Sequence, residues 1–148
     1  MWIAPVRLLL ATLWSGSLWA VGYLAAPTLF TVFDRKLAGT VAASLFRSEA
    51  WLSVACAVLL LSLQMIPQER SDPNRRQRTI LIVAMLACTL IGYFCLQPFM
   101  AELRVVMDTG SEAASAAHTR FAVLHGVSAV IYLAGSLLGV VLVLKSRA

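Results

Sequence analysis

Two histidines at the outer end of the last predicted helix are the residues best suited to chemistry. His118 and His125 are seven positions apart, so on a helix they share one face. The same face continues along the chain through Ser128, Tyr132 and Ser136. A polar stripe on a membrane-crossing helix is expected to face the bundle interior or a water-filled cavity. The stripe therefore predicts a polar pocket.

Polar and aromatic side chains are expected at similar depth on neighbouring helices. Tyr93 and Gln97 are four positions apart on one apolar stretch, and Trp19 and Tyr23 have the same spacing on another. Charged residues are expected around the mouth above them: Asp34, Arg47, Glu49, Glu102 and Arg120. Together these residues predict a ligand-binding pocket in the outer half of a helical bundle.

The pattern leaves three roles open for His125: structural hydrogen bonding, contact with a ligand or cofactor, and proton handling. A zinc site needs three or four ligands, and His118 and His125 supply only two. No cofactor is expected, with haem or a transition metal on these histidines as the alternative. The chain lacks HExxH, CxxC, P-loop and GxGxxG motifs and a nucleophile elbow. No catalytic residue is therefore assigned, and the sequence favours a protein that is not an enzyme.

The helices that position these residues follow from the distribution of charge. Of 148 residues, 60% are hydrophobic and 13% are charged, against roughly 45–50% and about 25% in soluble domains. Four stretches contain no Asp, Glu, Lys or Arg: residues 8–33, 50–68, 79–101 and 121–144. About 20 apolar residues suffice for a helix to cross the hydrocarbon core. The sequence predicts one domain, residues 1–148, that is an all-α integral membrane four-helix bundle.

The positions of Lys and Arg predict its orientation. Four spans place both termini and the loop 68–78 on one face, which holds seven of the twelve Lys and Arg residues. By the positive-inside rule both termini are cytoplasmic, as expected for a multi-pass protein of a cell membrane, here a bacterial inner membrane. The basic loop is expected near anionic membrane lipid, and no nucleic-acid partner is expected.

The outer connections are expected to contain further helix. Apolar residues recur every four positions within residues 34–49 and predict an amphipathic helix on the outer surface. The third span is expected to continue through Met107 and to break at residues 109–110. Ser111 then suits the N-cap of a fourth helix of about 33 residues. The third and fourth helices would extend beyond the outer surface.

Small residues predict where helices approach closely in lipid. Gly135 and Gly139 form a GxxxG motif on the last span, and Gly16 and Gly22 lie on the first. They are expected at contacts within the bundle, with a second copy, or with another membrane protein. A structural assembly subunit is therefore an alternative function.

Two segments carry a family resemblance. They are WSGSLWAVGYLAAPTLFTVFDRKLAGTVAASLF (residues 14–46) and RFAVLHGVSAVIYL (residues 120–133). The chain resembles the TMEM-205-like family of membrane domains of unknown function, in its bacterial branch. The matching positions are Trp14 and Gly16, residues 26–30, Ala38-Gly39, Leu45-Phe46, Phe121, Leu124, His125 and Ser128. The resemblance implies a four-span membrane domain with no established catalytic activity.

The favoured function is that of a membrane protein that binds or passes a small solute, or serves as an accessory subunit, through the outer pocket. A haem- or metal-binding redox protein using His125 is the enzyme-class alternative. A weaker likeness in size and helix count runs to the HemJ-like protoporphyrinogen oxidases, whose paired His and Lys pattern is absent here.

Overall fold

The computed structural model describes residues 2–67, 72–109 and 112–147, and within these ranges it is helical without any strand. It contains four long helices, each apolar enough to cross a membrane: α1 (Ile3–Val32), α2 (Arg35–Leu63), α3 (Arg75–Met107) and α4 (Glu112–Ser146). The predicted all-helical fold with four apolar spans is confirmed.

The four helices form a ring in which neighbours in sequence lie side by side. α1 and α3 each pack against both α2 and α4. Short connections join consecutive helices, so their directions alternate. The end that carries both termini and the α2–α3 connection is called the terminal end below, and the opposite end is called the far end.

The start of α2 differs from the sequence-based prediction. The predicted surface helix within residues 34–49 is the first part of α2, which runs without a break to Leu63. Asp34 caps this helix, because its carboxylate accepts hydrogen bonds from the backbone N–H groups of Lys36 and Leu37 at 3.1 and 3.0 Å. Ala38, which is fully buried, lets the first turns of α2 pack closely on the end of α1.

The α3–α4 connection follows the expected course as far as it is described. α3 ends at Met107, and Asp108 and Thr109 form a turn after it. Gly110 of the predicted break and the predicted N-cap Ser111 lie outside the described residues.

The outward faces of the helices are apolar. Leu24, Val130 and Leu9 are 69%, 68% and 67% exposed, respectively. Their exposure is expected if lipid surrounds the bundle.

The packed core lies in the terminal half of the bundle. Trp14 and Leu60 anchor it from α1 and α2, while Ile82, Met85 and Leu142 complete it from α3 and α4.

Two prolines widen the helices in the far half. A π-helical segment, Ala20–Ala25, precedes Pro27 in α1, and another, Leu90–Leu96, precedes Pro98 in α3. Proline has no N–H to donate, and its ring clashes with the carbonyl four residues earlier, so the preceding turn opens. Each π segment carries a Gly-Tyr pair. The two kinked helices therefore present similar wide turns on either side of the bundle.

Some glycines lie at close contacts between helices, whereas no heavy atom lies within 4 Å of a Cβ built at Gly16. A Cβ at Gly22 would overlap the Tyr132 ring, and one at Gly139 would lie 2.7 Å from Ser15 Oγ. Gly135 is buried, and a Cβ there would lie 3.4 Å from Cys88 Cβ. The GxxxG motif thus serves contacts inside the bundle.

An ionic cluster closes the terminal end. Asp72 Oδ2 lies 2.8 Å from Arg78 Nη2 and 4.0 Å from Arg7 Nη1, and both arginines are buried. Arg7 also donates to the Ser146 carbonyl at 3.3 Å. The cluster therefore ties the beginnings of α1 and α3 to the end of α4.

The pKa of Asp72 reflects these contacts. Partial burial raises the pKa, but the hydrogen bonds from Arg78 and the Asn74 N–H, with the positive charges of Arg78 and Arg7, outweigh it and hold the pKa below its usual 3.8. A lowered folded-state pKa contributes stability above the unfolded-state value. That stability is lost as the pH falls below about 3.8 through the folded-state pKa.

We expect Asp72→Asn to lower the stability of the detergent-solubilised protein by about 2 kcal/mol at neutral pH, because charged hydrogen bonds are lost. The difference from wild type should shrink below pH 3.8. Thermal unfolding across pH measures both effects. Asp108→Asn is the control, since its pair with Lys36 at 3.9 Å is exposed on both sides. Equal losses in the two variants at neutral pH would contradict the assignment.

Gly22→Ala should destabilise the bundle by about 1–3 kcal/mol, because the Tyr132 ring must move away from its bond to the Leu18 carbonyl. Gly16→Ala on the same helix is the matched control, since no heavy atom lies within 4 Å of a Cβ there. Melting temperatures in detergent should fall for the first variant and hold or rise for the second. The reverse order would show that Gly22 is not a close contact.

Candidate functional site

A cavity of about 580 Å³ occupies the far half of the bundle. It extends from Met85 and Gly135 at the edge of the packed core to Phe30, Gly39 and Arg104 towards the far end. All four helices contribute to its wall. The wide π segments supply Gly22 and Tyr23 from α1 and Gly92 and Tyr93 from α3. The proline-induced widening thus coincides with the cavity.

The structure brings seven of the sequence-predicted site residues to this cavity: Tyr23, Glu49, Tyr93, Gln97, His125, Ser128 and Tyr132. It leaves six out of the lining: Trp19, Asp34, Arg47, Glu102, His118 and Arg120. Asp34 caps α2, and the other five are exposed. The lining combines residues from different helices that share no sequence motif.

Glu49 was expected at the mouth of the pocket, but it lies deeper in the bundle. It lies fourteen residues into α2, about 21 Å from the start of that helix at 1.5 Å per residue, and only 6% of it is exposed. It contributes to the cavity wall. A carboxylate at this depth is costly to bury, so its contacts decide what the site can do.

A chain of hydrogen bonds links Glu49 to the packed core. Trp14 Nε1 donates to Ser53 Oγ at 2.7 Å, and Ser53 Oγ donates to Glu49 Oε1 at 2.6 Å. Trp14 and Ser53 are both fully buried. The three side chains therefore hold one carboxylate oxygen in place from the side of the core.

The other carboxylate oxygen of Glu49 has no hydrogen-bond donor among the described residues. Within residues 2–67, 72–109 and 112–147, no Lys, Arg or His forms an ion pair with Glu49, and Ser53 is its one side-chain hydrogen-bond donor. The cavity thus carries an acidic group that has no basic partner among the described side chains.

The tyrosines use their hydroxyl groups to hold α1 against α4. Tyr132 donates to the Leu18 carbonyl at 2.7 Å, and Tyr23 donates to Ser136 Oγ at 3.2 Å. Trp19 donates to the Ser136 carbonyl at 3.3 Å, which explains its place outside the cavity lining. Because both hydroxyls are engaged with protein, the tyrosine rings provide the aromatic surface of the cavity.

The two histidines have separate surroundings. His125 lines the cavity and stacks on Phe121, with ring centroids 6.0 Å apart and planes 6° apart. His118 is exposed two turns nearer the far end of α4. In the part of the chain that the structure describes, no three His, Cys, Asp or Glu side chains gather into a metal-binding group.

Several lining residues escaped the sequence analysis, among them Phe46, Cys88, Thr89 and Arg104. Phe46 lies three positions before Glu49, so helical spacing places both on one face, and this signal was available. Arg104 lies near the end of α3, where its guanidinium carbon is 5.3 Å from the centre of the Phe121 ring. Its contribution depends on how α3 and α4 pack, which no local pattern reveals.

The fold and the cavity together define a multi-pass, four-helix membrane protein with an internal site. Its sequence matches a family described as a domain of unknown function, DUF4149, over residues 9–109. This match covers more than half of the chain, from α1 to the turn after α3, and the chain belongs to that family. No curated protein and no solved structure gives a significant match.

Ser53→Ala should destabilise the protein by about 2 kcal/mol, because it removes the donor to Glu49 and leaves the buried Trp14 N–H without an acceptor. Ser62→Ala on the same helix is the control, since Ser62 is exposed and bonds only to the Val58 carbonyl of its own helix. Thermal unfolding in detergent measures the difference. Indistinguishable melting temperatures for the two variants would rule out the hydrogen-bond chain.

Proposed function

We propose that this protein binds a small amphipathic solute in the far-half cavity, either to pass it on or as an accessory subunit of a larger membrane assembly. The cavity volume of about 580 Å³ lies within the range of small-molecule sites, roughly 300–1,000 Å³. Its lining is mainly apolar, with a few polar groups from different helices. Such a combination is typical of ligand sites.

The observation that carries the proposal is the buried Glu49 side chain on the cavity wall. A protein gains nothing in stability from a lone carboxylate among apolar helices, since an apolar residue there would avoid the cost of desolvation. A carboxylate that is held on one oxygen, and that finds no partner for the other among the described residues, is suited to binding a ligand.

The alternatives from the sequence gain less support. Gly135 and Gly139 pack inside the bundle, so a structural assembly role needs another surface. For a redox role, His125 is the one imidazole among the lining residues, and the described donors do not cluster around it.

Sidedness and membrane also belong to the proposal. The excess of Lys and Arg at the terminal end supports cytoplasmic termini and a cavity in the outer half. The 33 residues of α3 would span about 50 Å, against a hydrocarbon core of about 30 Å, which supports extension of α3 and α4 beyond the outer surface. The bacterial inner membrane and the likeness to the bacterial branch of the TMEM-205-like family stay predictions from the sequence.

Two native cysteines provide the test. Cys88 lines the cavity, whereas Cys95 is more exposed in the protein but absent from the lining, so it should face lipid. In nanodiscs, a water-soluble maleimide should label a variant that retains only Cys88 at least tenfold faster than one that retains only Cys95, because thiolates react from water. A variant with only the buried Cys56 sets the background rate. Labelling of Cys88 at or below the Cys95 rate would overturn the proposal of a solute-accessible cavity.

A further inference from the structure

The charge of the cavity points to the kind of solute it takes. Glu49 is buried beside the cavity, and no basic side chain among the described residues pairs with it. An anion entering the cavity would approach an acidic group in surroundings where charge is poorly screened. A cation would instead supply a partner for Glu49 that the described side chains do not.

The aromatic rings beside Glu49 add a second, independent feature. The rings of Tyr23, Tyr132 and Phe46 form a contiguous series, with centroids 6.1 Å apart for the first pair and 5.5 Å for the second. Tyr93 adds a ring from α3. Aromatic rings attract cations through their quadrupoles and also bury apolar groups well. The wall therefore suits a positive centre that carries hydrocarbon.

Two basic side chains in the lining, Arg104 and His125, form no ion pair with Glu49. The Arg104 guanidinium carbon lies 5.3 Å from the centre of the Phe121 ring, and His125 stacks on the same ring. The carboxylate of Glu49 therefore keeps no basic partner among the described residues.

The remaining lining argues against an inorganic cation. Hard metal ions such as Ca²⁺ take six to eight oxygen ligands. Around Glu49 the wall is built mainly from aromatic and small apolar residues, and Ser53 is already committed to the carboxylate. An organic cation needs only one counter-charge and an apolar surround.

We infer that the cavity ligand is a monovalent organic cation, with its positive centre on the carboxylate of Glu49 and its apolar groups against the rings of Tyr23, Phe46, Tyr93 and Tyr132. The inference rests on the proposed function, because it names the chemical class of the solute. It assigns the binding of the positive centre to Glu49, which the sequence pattern predicted at the mouth of the pocket.

The test uses two probes of matched shape and opposite charge, tetraphenylphosphonium and tetraphenylborate, with benzyltrimethylammonium as a smaller cation. Binding to the full-length protein in detergent is measured at equilibrium, and protection of Cys88 from maleimide reports whether the bound probe occupies the cavity. Glu49→Gln removes the charge and keeps the shape, so the hydrogen bond from Ser53 persists. Glu102→Gln is the matched control, since Glu102 is exposed and outside the lining.

We expect saturable binding of at least one cation, with protection of Cys88 and at least tenfold weaker affinity for tetraphenylborate. Glu49→Gln should weaken cation binding at least tenfold while melting near the wild-type temperature, and Glu102→Gln should bind within twofold of wild type. The inference is overturned if neither cation binds, if tetraphenylborate binds as well as its cationic partner, or if Glu49→Gln binds like wild type. If Cys88 remains reactive in any of these cases, the cavity survives as a solute site and only the cationic class is lost.

Discussion

The hydrogen-bond chain from Trp14 through Ser53 to Glu49 is the contact on which the rest of the structure depends. It lies at the boundary between the packed terminal half and the open far half. Within a bundle surrounded by lipid, no bulk water is present to satisfy buried polar groups, so the bundle must provide partners itself. Trp14 and Ser53 provide one for a single oxygen of Glu49. The cavity begins at Glu49, the last residue of this hydrogen-bond chain.

The opening of the far half has a backbone cause. Pro27 and Pro98 each disturb the helical hydrogen bonds before them, and the π segments that result carry Gly22 and Gly92 to the cavity wall. Small side chains alone would let the helices pack closely, as they do around Gly139. Wide turns on two opposite helices keep them apart, while the Tyr132 and Tyr23 hydroxyls hold α1 on α4. The same four helices therefore pack closely in the terminal half and enclose a cavity in the far half.

The candidate site was partly predictable from the sequence. Polar residues at helical spacing on the last two spans, such as Tyr93, Gln97 and His125, lie in the cavity because a single helix determines which of its residues share a face. Trp19 has the same spacing from Tyr23, yet it bonds to the Ser136 carbonyl outside the lining. Whether such a residue lines the cavity depends on how its helix is rotated relative to its neighbours. That rotation depends on side-chain packing across the bundle.

The sequence by itself determined the number of long apolar helices and the helical class, because the cost of placing charge in lipid acts on each segment separately. Only the tertiary structure decided that Glu49 lies deep beside a cavity and that Arg104 reaches its wall. These features arise from contacts between helices that are distant along the chain. A pattern within one segment cannot encode the depth at which another segment packs against it.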